Sequence, residues 1–134
     1  MVSSGSQPRA ERMSTRRLKR GALVGGGVRK NTVFGAGMSE GAYATIAPYI
    51  LLRQELLARG LQLDTADVLM HEGVEADFEI HLNVQRRVSH PRSYVLLFET
   101  PLVRPRNGDI DFLSHYRKVL TWRTDWIDGV RYIP

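Results

Sequence analysis

Cysteine is missing from all 134 residues. That excludes disulfides, zinc–thiolate centres and a cysteine nucleophile, and it suits a reducing compartment. Long apolar runs are missing as well. No segment approaches the ~20 apolar residues of a membrane span, and the runs around Ile50 to Leu52 and Tyr94 to Phe98 are core-sized. A secretory signal requires roughly 7–15 apolar residues after a basic start. Thr15 to Lys19 holds an arginine pair, but glycine fills half of the stretch from Gly21 to Val28, and Arg29 and Lys30 end it. A cytoplasmic protein with no integral membrane segment is expected.

Basic charge is concentrated rather than spread. The formal net charge is +5. Residues 1–20 supply that excess, with Arg9, Arg12, Arg16, Arg17, Lys19 and Arg20 against Glu11 alone. The rest of the chain balances. Residues 1–17 therefore read as a disordered basic tail, by their Ser/Gln/Arg-rich composition. Such a tail could touch nucleic acid or anionic lipid by releasing counterions. The neutral remainder carries no RNA-binding or helix-turn-helix signature, so no nucleic-acid partner is expected.

Residues 18–134 have the length of one domain. A short strand is expected near Leu18 to Val24, followed by a loop at Gly25-Gly26-Gly27. The loop fails as a phosphate cradle. Counting from Gly25, the dinucleotide pattern requires glycine where Lys30 stands; counting from Gly21, the P-loop pattern requires lysine where Gly27 stands. Residues 47–59 predict a helix, with Pro48 in its first turn, Tyr49, Leu52, Leu56 and Leu57 on one face, and Gly60 as its stop. A strand follows at Leu61 to Asp64. Phe78 to Val84 alternates apolar and polar residues, as a strand with one buried face does. Ser93 to Phe98 is apolar on both sides, the pattern of a central strand covered by helices on both faces. Residues 109–117 predict a short helix with Phe112, Leu113 and Tyr116 inward. Lys118 to Trp122 and Val130 to Ile133 complete the strands, with a turn at Asp128-Gly129. Strands interleaved with helices give an α/β fold with a parallel or mostly parallel sheet.

Several stretches in this order resemble glycosyltransferase family 10, the α-1,3/4-fucosyltransferases. They are Asn31 to Phe34; Ala47-Pro-Tyr-Ile with Leu52-Arg53; Arg59 to Thr65; Val95-Leu-Leu-Phe-Glu-Thr-Pro-Leu-Val-Arg-Pro-Arg-Asn-Gly108; Tyr116 to Trp122; and Asp128 to Tyr132. After Trp122 this chain continues Arg-Thr-Asp, where family members more often have Asn-Asp. The resemblance implies a Rossmann-like, mostly parallel sheet with flanking helices, similar to one half of the two-domain GT-B arrangement. The matched segments belong to its amino-terminal, acceptor-side domain. The donor-binding domain has no counterpart in this sequence, so the chain alone is expected to be inactive. The donor, a GDP-sugar such as GDP-fucose, is expected only with that second domain, supplied by a longer product or by another chain. No cofactor is expected in this chain. An open sheet without its partner domain would expose apolar surface and favour self-association into a homo-oligomer.

The activity implied is inverting transfer of a sugar from the GDP-sugar to a saccharide hydroxyl. A hydroxyl is a weak nucleophile at neutral pH, so a positioned carboxylate must take its proton as the bond forms. Glu99 fits that role. It follows the apolar strand directly and should emerge at the carboxyl edge of the sheet, where open α/β sheets bind ligands, and by the resemblance it aligns with the strand-end glutamate that family members use as base. The alternative is a loop carboxylate that caps backbone or pairs with Arg104 or Arg106. Arg104 and Asn107, in the loop that follows, and Asn31, after the first strand, are candidate acceptor-binding residues. Arg106 is expected to be solvated, Phe34 to pack against the core rather than stack on sugar, and Trp122 to be core.

Other patterns carry blander readings. Asp109-Ile110-Asp111 resembles a metal-holding Asp-x-Asp, yet it opens a predicted helix, where aspartates cap free N–H groups. His71-Glu72 lacks the second histidine of a zinc-protease helix. His81, His90 and His115 stand apart in sequence, and no metal site is expected. The alternative for the whole chain is a non-catalytic Rossmann-like binding or interaction module.

Overall fold

The computed structural model describes residues 17–35, 40–86, 88 and 90–134. The basic segment before residue 17 lies outside them. Nine regular elements follow in chain order: β1 Lys19–Val24, α1 Glu40–Ala58, β2 Leu61–Thr65, α2 Ala66–Glu72, β3 Phe78–Leu82, β4 Ser93–Leu96, α3 Ile110–Leu113, β5 Lys118–Leu120 and β6 Tyr132–Ile133. The six strands form one sheet in the order β2-β1-β3-β4-β5-β6, and every pairing is parallel. The fold is Rossmann-like α/β, as the pattern of elements predicts.

Strand alternation sends successive side chains to opposite faces, and β1 divides the core accordingly. Leu23 joins Leu63, Ile80 and Leu82 under Tyr49, Leu52 and Leu56 of α1. Ala22 and Val24 meet Leu69 of α2 on the other face. Further along that second face, Val95 and Val119 pack with Leu113 and Tyr116. At Gly21 a side chain would displace the Phe78 ring, since a Cβ there would lie 2.2 Å from it.

Several expectations need correction. The helix does not begin at residue 47: its described part runs back to Glu40, with Pro48 inside it. The Ala-containing segment upstream favours helix, and the exposed proline only removes one N–H donor. Leu57 is exposed rather than inward, while Gly60, at φ 78°, ends the helix as expected. The helix expected over 109–117 shortens to α3, although Leu113 and Tyr116 are buried. The two middle strands exchange characters. β3, read as buried on one face, is buried on both, because Glu79 and His81 satisfy each other inside. β4, read as covered on both faces, leaves Tyr94 and Leu96 half-exposed on the α1 side. Trp122 is 55% exposed, not core, because no described element covers that face beyond Leu120. No helix among the described residues is long and apolar enough to cross a membrane.

Candidate active site

In an open parallel sheet the backbone N–H groups and loops at the carboxyl ends of the strands are left to bind ligands, most often where the strand order reverses. Here that point is the β1–β3 seam, since β2 lies on one side of β1 and β3 to β6 lie on the other. The glycine loop leaves β1 at the seam. A Cβ on Gly25 would come within 3.3 Å of the Leu82 side chain, and one on Gly26 would stand 3.8 Å from Gln85 Oε1. Only Gly25 is in a tight spot, while a side chain at Gly26 would make an ordinary contact, and the glycines do not spell a phosphate motif.

Glu99 lies one strand further on, past the end of β4, and is exposed. Its backbone is held tightly. Asn83, at the end of β3, adopts a left-handed φ of 60°, which asparagine tolerates better than most residues. That geometry aims its Oδ1 at the chain leaving β4, where it accepts from Phe98 N at 2.8 Å and Glu99 N at 2.9 Å. Asn107 closes the bracket. Its Nδ2 donates to Asn83 Oδ1 at 3.0 Å and to the Glu99 carbonyl at 2.9 Å, while its Oδ1 accepts from Val84 N at 2.9 Å. The carboxylate itself makes no ion pair among the described residues, neither with Arg104 nor with Arg106. Arg106 instead lies over the Phe112 ring, 5.1 Å from its centroid.

Arg104 reaches Gln85 Oε1 at 3.4 Å, and the Gln85 amide in turn donates to the Leu82 carbonyl. The sheet edge thus brings together Glu99, Arg104, Gln85 and the glycine loop. Phe98 flanks them, edge-on to Tyr49 with ring centroids 6.4 Å apart. Burial pushes the Tyr49 phenol above its ordinary value.

The two asparagines expected to bind acceptor are engaged otherwise. Asn107 is 2% exposed and both its donors are used, so it positions Glu99 from below rather than meeting a ligand. Asn31 turns away from the seam, toward β2. Its Oδ1 accepts from Thr65 N at 2.8 Å and its Nδ2 donates to Asp64 at 2.9 Å. Phe34 packs against the α1-side core, with the Arg53 guanidinium 4.5 Å from its centroid.

Asp64 gathers charge from both layers. Arg20 and Arg53 each reach it at 2.8 Å, and Gln62 at 2.9 Å. Burial alone would push this carboxyl up. The hydrogen bonds from Arg20, Asn31 and Gln62, with the Arg53 charge, outweigh burial and hold it below its ordinary value. A second buried group lies on the α2 face of β3. His81 Nε2 meets Glu79 at 2.8 Å and Nδ1 meets the Tyr116 hydroxyl at 2.7 Å. The His81 hydrogen bond lowers the Glu79 carboxyl against the opposing effect of burial, and burial pushes the Tyr116 phenol well up. His81 stands apart from the other histidines in sequence, and its Tyr116 partner lies 35 positions away.

Among the described residues, no group of three or more His, Cys, Asp or Glu could hold a metal ion. Asp109 caps α3, accepting from Asp111 N at 3.0 Å. No protein-family model, curated protein or solved structure matches the chain.

Proposed function

We propose that this chain is the acceptor-side domain of an inverting, fucosyltransferase-type glycosyltransferase, with Glu99 as the base that takes the proton from the acceptor hydroxyl. The observation that carries the reading is the setting of Glu99. It is an exposed carboxylate at the carboxyl edge of a parallel sheet, on a backbone fixed by Asn83 and Asn107. A general base must lie within reach of substrate, and a fixed backbone limits the region its exposed carboxylate can sweep. Arg104 is the neighbouring group suited to hydroxyls of the acceptor. The sugar donor belongs to a second domain facing this edge, which would supply the cations that stabilise the departing diphosphate.

Two measurements test the proposal. In saturation-transfer NMR with a panel of oligosaccharides, the chain should contact at least one, and Arg104→Ala should weaken that contact. When the chain is joined to a donor-binding domain that confers transfer from GDP-fucose, Glu99→Gln should lower kcat by roughly 10²–10⁴-fold and leave thermal unfolding unchanged. Near-normal turnover would remove Glu99 from the mechanism. Failure of every saccharide to bind would favour the second reading, a non-catalytic interaction module. The engagement of both candidate asparagines in internal hydrogen bonds favours that reading.

A further inference from the structure

A parallel sheet is stable when both faces are covered, yet among the described residues one half of one face has no helix over it. On the α2 side, Val95 and Val119 are fully buried beneath Leu113 and Tyr116. On the α1 side of the same strands lies a groove of about 390 Å³, walled by Leu52 and Leu56 of α1 and floored by Phe78, Tyr94, Leu96 and Leu120. The apolar surface continues past the groove toward the carboxyl edge, where Phe98 and Trp122 are 54% and 55% exposed.

The dimensions suit a helix. Neighbouring helices pack 8–10 Å apart and strands lie about 4.8 Å apart, so a helix beside α1 falls two strands over, on β4. From Arg92 at the amino edge, past Tyr94 and Leu96, to Phe98 the face spans roughly 20 Å at strand rise, which a helix of about 13 residues matches. Charge sets its direction. A helix running antiparallel to the strands, as the β1–α1–β2 connection makes α1 do, brings its carboxyl end to the amino edge of the sheet. Lys19 and Arg92 line the groove at that edge, and neither makes an ion pair among the described residues. Asp77 is also there, with its carboxylate accepting from Arg20 N at 2.7 Å. The negative end of a helix dipole is stabilised by such cations.

We infer that this half of the α1 face binds an amphipathic helix of a separate partner protein, apolar along one stripe, antiparallel to the strands, with its acidic carboxyl end on Lys19 and Arg92. This inference does not depend on the glycosyl-transfer reading. A small amphiphile would fill the groove but leave Phe98 and Trp122 uncovered.

The probe is a dye-labelled 14-residue Leu/Lys/Glu peptide with one leucine stripe, glutamates in its last turn and a free terminal carboxylate, followed by fluorescence anisotropy. It should bind the full chain saturably, whereas a scrambled peptide of the same composition should not. Leu120→Glu should weaken binding by about 10-fold or more, the value of one buried leucine side chain. Trp122→Glu, at a site already exposed and so compatible with folding, should also weaken it. Lys19→Glu with Arg92→Glu should weaken this peptide more than one ending in amidated lysines. Leu51→Glu, on an exposed face of α1, should change nothing. Equal binding of striped and scrambled peptides overturns the inference. So does a wild-type dimer in sedimentation that Trp122→Glu renders monomeric, since a second copy then covers the face. So does saturable dodecanoate binding without peptide binding, which would make the groove a lipid site.

Discussion

Asn83 and Asn107 are hydrogen-bonded to each other, and the same substitution should have opposite consequences at the two positions. Three N–H groups converge on Asn83 Oδ1, from Phe98, Glu99 and Asn107. A carboxylate there keeps all three bonds, strengthened by charge. Asn83→Asp should therefore stay within about 1 kcal/mol of wild type. Asn107 is the reverse case. Its amide nitrogen is the donor, to two oxygens at 2.9 and 3.0 Å, in a site 2% exposed. Asn107→Asp would set an acceptor against two acceptors and strand both. Each buried group left without its partner costs about 1–3 kcal/mol, so a loss of roughly 3–5 kcal/mol is expected once local relaxation is allowed for. With a mid-range urea slope of about 2 kcal/mol/M, the midpoint should fall by roughly 1.5–2.5 M. The penalty should shrink as pH falls. The new carboxyl, buried among oxygens, has its folded-state pKa raised, so its protonated form, able to donate, is favoured at low pH. Urea unfolding of both variants at neutral and acidic pH checks this. Equal costs at the two sites, or a larger cost at Asn83, would refute the proposed hydrogen-bond directions.

Three further outcomes follow from other parts of the molecule. Asp64 is held below its ordinary carboxylate value in the folded chain, so its contribution is present above the unfolded value and lost as pH falls through the folded one. Asp64→Asn should cost about 2–4 kcal/mol at neutral pH, discounted for the partial exposure of Arg53, and the gap to wild type should close below about pH 4; a gap independent of pH would contradict the ion-pair account. Gly21→Ala should destabilise by about 1–3 kcal/mol through the Phe78 ring, and Phe78→Leu in the same chain should recover part of it in thermal unfolding; no recovery would place the strain elsewhere. Tyr116→Phe should cost about 1–3 kcal/mol. The Glu79 carboxylate can only accept, so His81 Nε2 donates to it; in the neutral ring, Nδ1 then accepts from Tyr116. An unchanged urea midpoint would show that this hydroxyl is not needed.

The sheet was largely legible because its strands are short apolar runs bounded by turn residues, and periodicity records burial directly. Periodicity misled at β3 and β4 for a specific reason. It reports polarity, not coverage: Glu79 and His81 are polar yet buried because they meet each other and Tyr116, while Tyr94 and Leu96 are apolar yet half-exposed because none of the described helices lies over them. The exit of Glu99 at the sheet edge followed from its place after an apolar strand. The functions of Asn31 and Asn107 did not, since an asparagine in a loop reads the same whether its amide faces solvent or backbone. Asn83 carried the one usable signal, an asparagine directly after a strand, a residue type enriched in left-handed turns. The Asp64 cluster draws on Arg20, Arg53, Asn31 and Gln62, and no local pattern joins positions so far apart.

The all-parallel ladder also has a kinetic consequence. No two neighbouring strands can zip from a tight hairpin, because each parallel pair needs a crossover between its members. The longest closure is at the β1–β3 seam, where Gly21 lies opposite Phe78 after the whole β2 excursion. Contacts so distant in sequence slow folding, since the chain must be ordered before they form. The seam that opens beside Glu99 is therefore expected to assemble late, after β1, α1 and β2 have found one another.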